Sequence, residues 1–196
     1  MLFTMKLLDP ENPHYLYDLL GLLKGELVPR FYIDAGDECP DVREALRLSE
    51  ELGAISAYAY LGDVTDSVTG DKRAQRFEDA YLDELFEVIS SLGFRAVTYM
   101  PSRNTPEQLL AVRKKCAEYG LLEISGEDIN SPRQAFVCRA QQSGEFAHLA
   151  DAAWALIAHE RAPEGMGLFS DCQIAAYPQL AERVKYFAEI GHSMSF

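Results

Sequence analysis

Apolar residues recur every three or four positions over several stretches of the chain and cluster into short runs between them. From Gln75 to Leu92, Phe77, Tyr81, Leu85, Val88, Ile89 and Leu92 mark one face, acids mark the other, and Gly93 follows as a stop, so a helix is expected there. Thr105-Pro106-Glu107-Gln108 has capping-box spacing and starts a helix expected to run to Gly120. Asn12-Pro13 ahead of HYLYDLLGLLKG and Pro40-Asp41 ahead of VREALRLSEELG open two more, with Gly25 and Gly53 as their expected ends. Two later helices are expected near Glu145 to Arg161 and Pro178 to Ile190.

Between these lie four strand-like runs, RFYIDA from Arg30, AISAYAYL from Ala54, RAVTYM from Arg95 and LLEIS from Leu121. Strands alternating with helices imply an α/β fold, with a parallel sheet and helical crossovers. In such folds the loops after the strands' carboxyl ends gather on one face, where ligands bind. Here those loops are GDVTDSVTGDKR, PSRN and GEDINSPRQ, and the first, Gly62 to Arg73, is long enough to read either as a lid or as a surface insertion. A four-strand sheet with two open edges also leads to an expectation of a homodimer.

Composition narrows the choice of partners. With 196 residues, 48% of them hydrophobic, and no Ser/Gly-rich linker, the chain reads as a single α/β domain, 1–196. Its net charge of −13 argues against a nucleic-acid or anionic-membrane partner, because those surfaces require clustered Lys and Arg. Cys39, Cys116, Cys138 and Cys172 are far apart and form no C-x-x-C pair, so reduced thiols are expected. No apolar run approaches membrane length, and MLFTMKLLDPENP meets acid and proline before an apolar core forms, so a cytoplasmic location is expected.

The run PDVREALRLSEELGAISAYAYLGD, followed by AVTYMPSRNTPEQLLAVRKKCAEYGLLEISGEDIN, resembles the carboxyl-terminal half of PHP-domain (polymerase and histidinol phosphatase) metal-dependent phosphoesterases. The likeness covers about Pro40 to Pro132, roughly half of the chain, and rests on the order and spacing of an Ala-His-Pro-like strand end, a Pro-Ser-His-like loop, a Pro-Glu-Gln helix start and a Gly-Ser-Asp-x-His-like motif. It implies a distorted TIM-type (β/α)7 barrel that hydrolyses phosphate esters with metal-activated water. It also implies a divalent metal, zinc or manganese, in the full family site.

The matching positions depart from the family pattern. Tyr60 stands where the Ala-His-Pro histidine would be, Arg103 or Asn104 where the Pro-Ser-His histidine would be, and Asp128-Ile129-Asn130 in place of Asp-x-His. Only Asp128 is kept as a metal ligand, and the chain has no His-x-His. A closed barrel needs about 200–250 residues or more, so the chain reads as a natural half-barrel or as the carboxyl-terminal part of a larger PHP-like barrel, and the second is expected. One carboxylate does not hold a hard cation tightly, and this chain alone is expected to bind no metal tightly.

Each candidate has a plain alternative. Asp128 is a metal ligand or a turn cap, and Glu127 a second ligand or a solvated acid. Arg103 and Arg133 bind phosphate or pair with Glu127 and Asp128, while Lys72 and Arg73 reach the face only if their loop folds inward. Tyr60 shares a strand face with Tyr58 and lines the site or simply packs, and His148 and His159, three helical turns apart, read as packing or surface groups. Two functions therefore stay open: a PHP-like metal-dependent phosphoesterase or a fragment of one, and a non-catalytic degenerate barrel domain that binds an anionic small molecule or a partner chain. The face around Tyr60, Arg103, Asp128 and Arg133 is expected to take a phosphorylated or other anionic ligand in preference to a metal.

Overall fold

Three short parallel strands lie side by side in chain order. The computed structural model of the chain describes residues 9–36, 38–64, 76–129 and 132–194. They fall into two compact units, one of Met1–Pro40, Asp63–Arg76 and Asp128–Val137, the other of Asp41–Gly62, Phe77–Glu127 and Cys138–Phe196. The first unit holds helix α1 (Tyr15–Phe31). The second holds α2 (Val42–Glu51), β1 (Ala57–Ala59), α3 (Leu82–Leu92), β2 (Ala96–Tyr99), α4 (Pro106–Tyr119), β3 (Leu122–Ser125), α5 (His148–Glu160), α6 (Asp171–Ala176) and α7 (Leu180–Ser193).

β2 is central, pairing Ala57 of β1 with Ala96, and Ala96 in turn with Leu122 of β3. Strand alternation then sorts side chains into two cores. Tyr58, Tyr60, Val97, Tyr99 and Leu121 face one side, where Phe86 and Ile89 of α3 and Leu109, Val112 and Cys116 of α4 cover them. Ile55, Ala57, Ala96, Leu122 and Ile124 face the other, against Ala152, Ala155 and Ala158 of α5 and Phe187 and Ala188 of α7. Burying side chains such as Val97 and Leu109 contributes about 1.5–3 kcal/mol each. Both crossover helices, α3 and α4, lie on one face of the sheet.

The local punctuation of α4 is as expected. Thr105 Oγ1 accepts from the Gln108 amide at 3.3 Å, Gln108 Oε1 accepts from the Thr105 amide at 2.8 Å, and Gly120 ends the helix in left-handed backbone. Asp41 likewise caps α2 through the Arg43 amide at 2.8 Å.

The first unit departs from expectation. α1 passes straight through Gly25, whose φ is not positive, and runs on to Phe31, absorbing the start of the RFYIDA run. Residues 32–36 form neither helix nor strand, and Tyr32 and Ile33 are exposed. The described sheet thus has three strands where four were expected: β propensity without a neighbouring strand to pair with does not make a strand. Most of the suggested lid, with Lys72 and Arg73, falls outside the described residues, as does Asn130.

Candidate functional site

Above the carboxyl ends of β1 and β2, in the second unit, a closed set of polar groups surrounds the Leu61–Gly62 peptide. Strand alternation brings Tyr58 and Tyr60 to the same side, and each hydroxyl finds a carboxylate from the segment ahead of α3. Tyr58 donates to Glu78 Oε1 at 3.0 Å, and Tyr60 donates to Asp79 Oδ1 at 2.5 Å. The Gly62 N–H donates to Glu78 Oε2 at 2.9 Å, with the Leu61 N–H at 3.5 Å from Oε1. Gln108, already fixed by its capping box, turns Nε2 to Asp79 Oδ2 at 2.7 Å.

The Leu61 carbonyl points the other way and is gripped from β2's loop. Asn104 Nδ2 donates to it at 2.8 Å, as does Arg103 Nη1, while Asn104 Oδ1 accepts from the Met100 amide at 3.2 Å. The Arg103 guanidinium lies 5.8 Å from the Phe77 ring centroid and is half-buried. Tyr60, Glu78 and Asn104 are buried. Burial, then the charge and hydrogen bond of Glu78, raise the Tyr58 phenol well above its usual range.

The end of β3 is tied to its neighbours by Glu127, which accepts from the Ser102 amide at 3.0 Å, the Ser102 hydroxyl at 2.5 Å and the Cys138 thiol at 3.2 Å. Deeper in the same unit, Glu123 Oε2 is a second hub. Tyr99 donates to it at 2.6 Å, His148 Nε2 lies 3.2 Å from it, and Arg113 Nε 3.6 Å. His148 Nε2 also lies 3.4 Å from the Tyr99 hydroxyl. His159 has a packing role: Nδ1 accepts from the Leu168 amide and Nε2 donates to the Gly53 carbonyl, both at 3.0 Å, which fixes its tautomer.

Of the residues singled out in sequence, Tyr60 and Arg103 meet around one peptide in the second unit. Asp128 and Arg133 belong to the first. Arg133 there makes two parallel hydrogen bonds to Asp18, at 2.7 and 2.8 Å, and holds that carboxyl below its usual range. The Asp128 carbonyl accepts from Gln134 at 2.9 Å. Glu78, Asp79, Gln108, Tyr99 and Glu123 had no recognised place in a site, and the only local signal was the acid pair ahead of α3.

The described residues bring together no group of three or more His, Cys, Asp or Glu able to hold a metal ion. Hydroxyl, amide and carboxamide donors surround Glu78 and Asp79. No helix among them is long and apolar enough to cross a membrane. Comparison with protein-family models, curated proteins and solved structures finds no match.

Proposed function

We propose that this chain is a non-catalytic, PHP-like α/β domain that binds a small anionic molecule at the carboxyl end of its sheet, with Arg103 as the cationic contact. The observation that carries this reading is the use made of the strand-end carboxylates: Glu78 and Asp79 accept from Tyr58, Tyr60, Gly62 and Gln108 and so serve the fold. Arg103 spends one of its five N–H donors on the Leu61 carbonyl, and the cation keeps a half-exposed position suited to phosphate or carboxylate. Strands in sequential order with both crossovers on one face are also how a barrel wall is laid down, which supports the PHP-like architecture.

Calorimetric titration with inorganic phosphate, alongside a phosphate-monoester hydrolysis assay with zinc or manganese, tests the proposal. The expected result is weak phosphate binding that Arg103→Ala abolishes, without metal-dependent turnover. Hydrolysis that requires the metal and is lost in Asp128→Ala would establish the phosphoesterase reading instead. Phosphate binding unchanged in Arg103→Ala would remove the anion site.

A further inference from the structure

Glu78 is a charged side chain only 4% exposed, and its carboxylate is bound at both oxygens by groups that belong to the end of β1. Those donors are held in place by contacts that do not involve Glu78. The Leu61–Gly62 peptide is pinned through its carbonyl by Asn104 and Arg103, so its N–H, on the opposite side of a trans peptide, is aimed at one spot. Gly62 keeps φ at +67°, and a Cβ there would sit 2.8 Å from both Tyr60 Oη and Asn104 Nδ2. Tyr58 is fixed by its place next to β2 and by an edge contact with Phe94, ring centroids 6.0 Å apart. A set of donors fixed without its acceptor is a preorganised oxyanion site.

We infer that the Gly62 amide, the Leu61 amide and the Tyr58 hydroxyl form a carboxylate-binding seat that Glu78 occupies from within the chain, and whose external occupant is a small monocarboxylate. A planar carboxylate matches the donors because Tyr58 and Gly62 address different oxygens. Glu78 is 16 residues from Gly62 along the same chain, and a tethered ligand has an effective concentration in the millimolar range or above. The wild-type seat is therefore closed to dilute carboxylates, and opens when the side chain is removed. This seat does not rest on the anion reading above: Arg103 enters it only as one of two groups that pin the Leu61 carbonyl, and formate rescue is read independently of phosphate binding.

The test is chemical rescue. Glu78→Ala should melt below the wild type, and sodium formate should raise its melting temperature in a saturable way while sodium chloride at equal ionic strength does not. The wild type should respond alike to both salts. Adding Tyr58→Phe to Glu78→Ala should weaken the rescue, which is measured without phosphate present. Equal effects of formate and chloride on Glu78→Ala, or equal formate effects on variant and wild type, overturn the seat. If Glu78→Ala does not fold, Glu78→Gln decides through hydrogen exchange of the Gly62 amide. The exchange should quicken by about tenfold or more, since a hydrogen bond to a charged acceptor contributes about 1.5–3 kcal/mol, and unchanged protection overturns the seat.

Discussion

The Tyr99 hydroxyl donates to Glu123 Oε2 at 2.6 Å across the seam between the central strand and β3. Tyr99 is almost wholly buried, and burial first, then the hydrogen bond and charge of Glu123, raise its phenol far above the usual range. An acid that ionises less readily in the folded state loses its proton first in the unfolded chain. The stability that Tyr99 contributes should therefore be full below about pH 10 and fall above it, by about 1.4 kcal/mol for each further pH unit that Tyr99 resists. Urea unfolding across that range checks the slope, and Tyr99→Phe should make it shallower, leaving the part due to Tyr58 and Cys116.

The same hub accounts for part of what sequence reading could not reach. Glu123 and His148 are 25 residues apart, and nothing local in LLEIS or EFAHLADAAW marks them as partners. The capping box at Thr105 and Gln108 was legible because both its hydrogen bonds are made within four residues, whereas the second bond of Gln108, to Asp79, spans 29. Tyr60 and Arg103 are singled out in sequence only by the resemblance, and their partners Asp79, Leu61 and Phe77 follow from how the end of β1 meets the segment ahead of α3. Gly25 misled because a glycine can end a helix but does so only when the chain turns into left-handed backbone there, as at Gly93 and not at Gly25.

Gly62 should tolerate no side chain. Gly62→Ala places a Cβ in left-handed backbone, at about 1–2 kcal/mol, and drives it into Tyr60, Asn104 and Gln108, whose displaced hydrogen bonds add about 1–3 kcal/mol. Gly53, at the same φ of +67° with nothing near its Cβ position, provides the matched control. Denaturant unfolding should rank Gly62→Ala well below Gly53→Ala, and equal losses would show that the strand-end network yields easily.

The contact of α5 with α7 depends on Gly191, because a Cβ there would overlap the Trp154 carbonyl oxygen. Gly191→Ala is expected to cost about 1–3 kcal/mol by forcing the helices apart. Trp154 is the chain's single tryptophan, and its ring lies 4.5 Å from that of His192 in α7. The substitution should therefore change the intensity of native tryptophan emission as well as the unfolding midpoint. A midpoint shift with unchanged native emission would mean that the two helices keep their contact and the strain is relieved elsewhere.

The four thiols should separate by reactivity. Cys39 and Cys172 are exposed, Cys138 is partly covered and donates to Glu127, and Cys116 is buried under α4. Burial, with the Glu123 charge adding to it, pushes the Cys116 thiol far above its usual range, so it offers almost no thiolate near neutral pH. Burial and Glu127 also raise Cys138. Titration of the native protein with a disulfide reagent should modify two thiols quickly, Cys138 more slowly, and Cys116 only at the rate of unfolding, with all four reacting at once in urea. Rapid loss of Cys116 under native conditions would show that the core beneath α4 opens far more often than its packing allows.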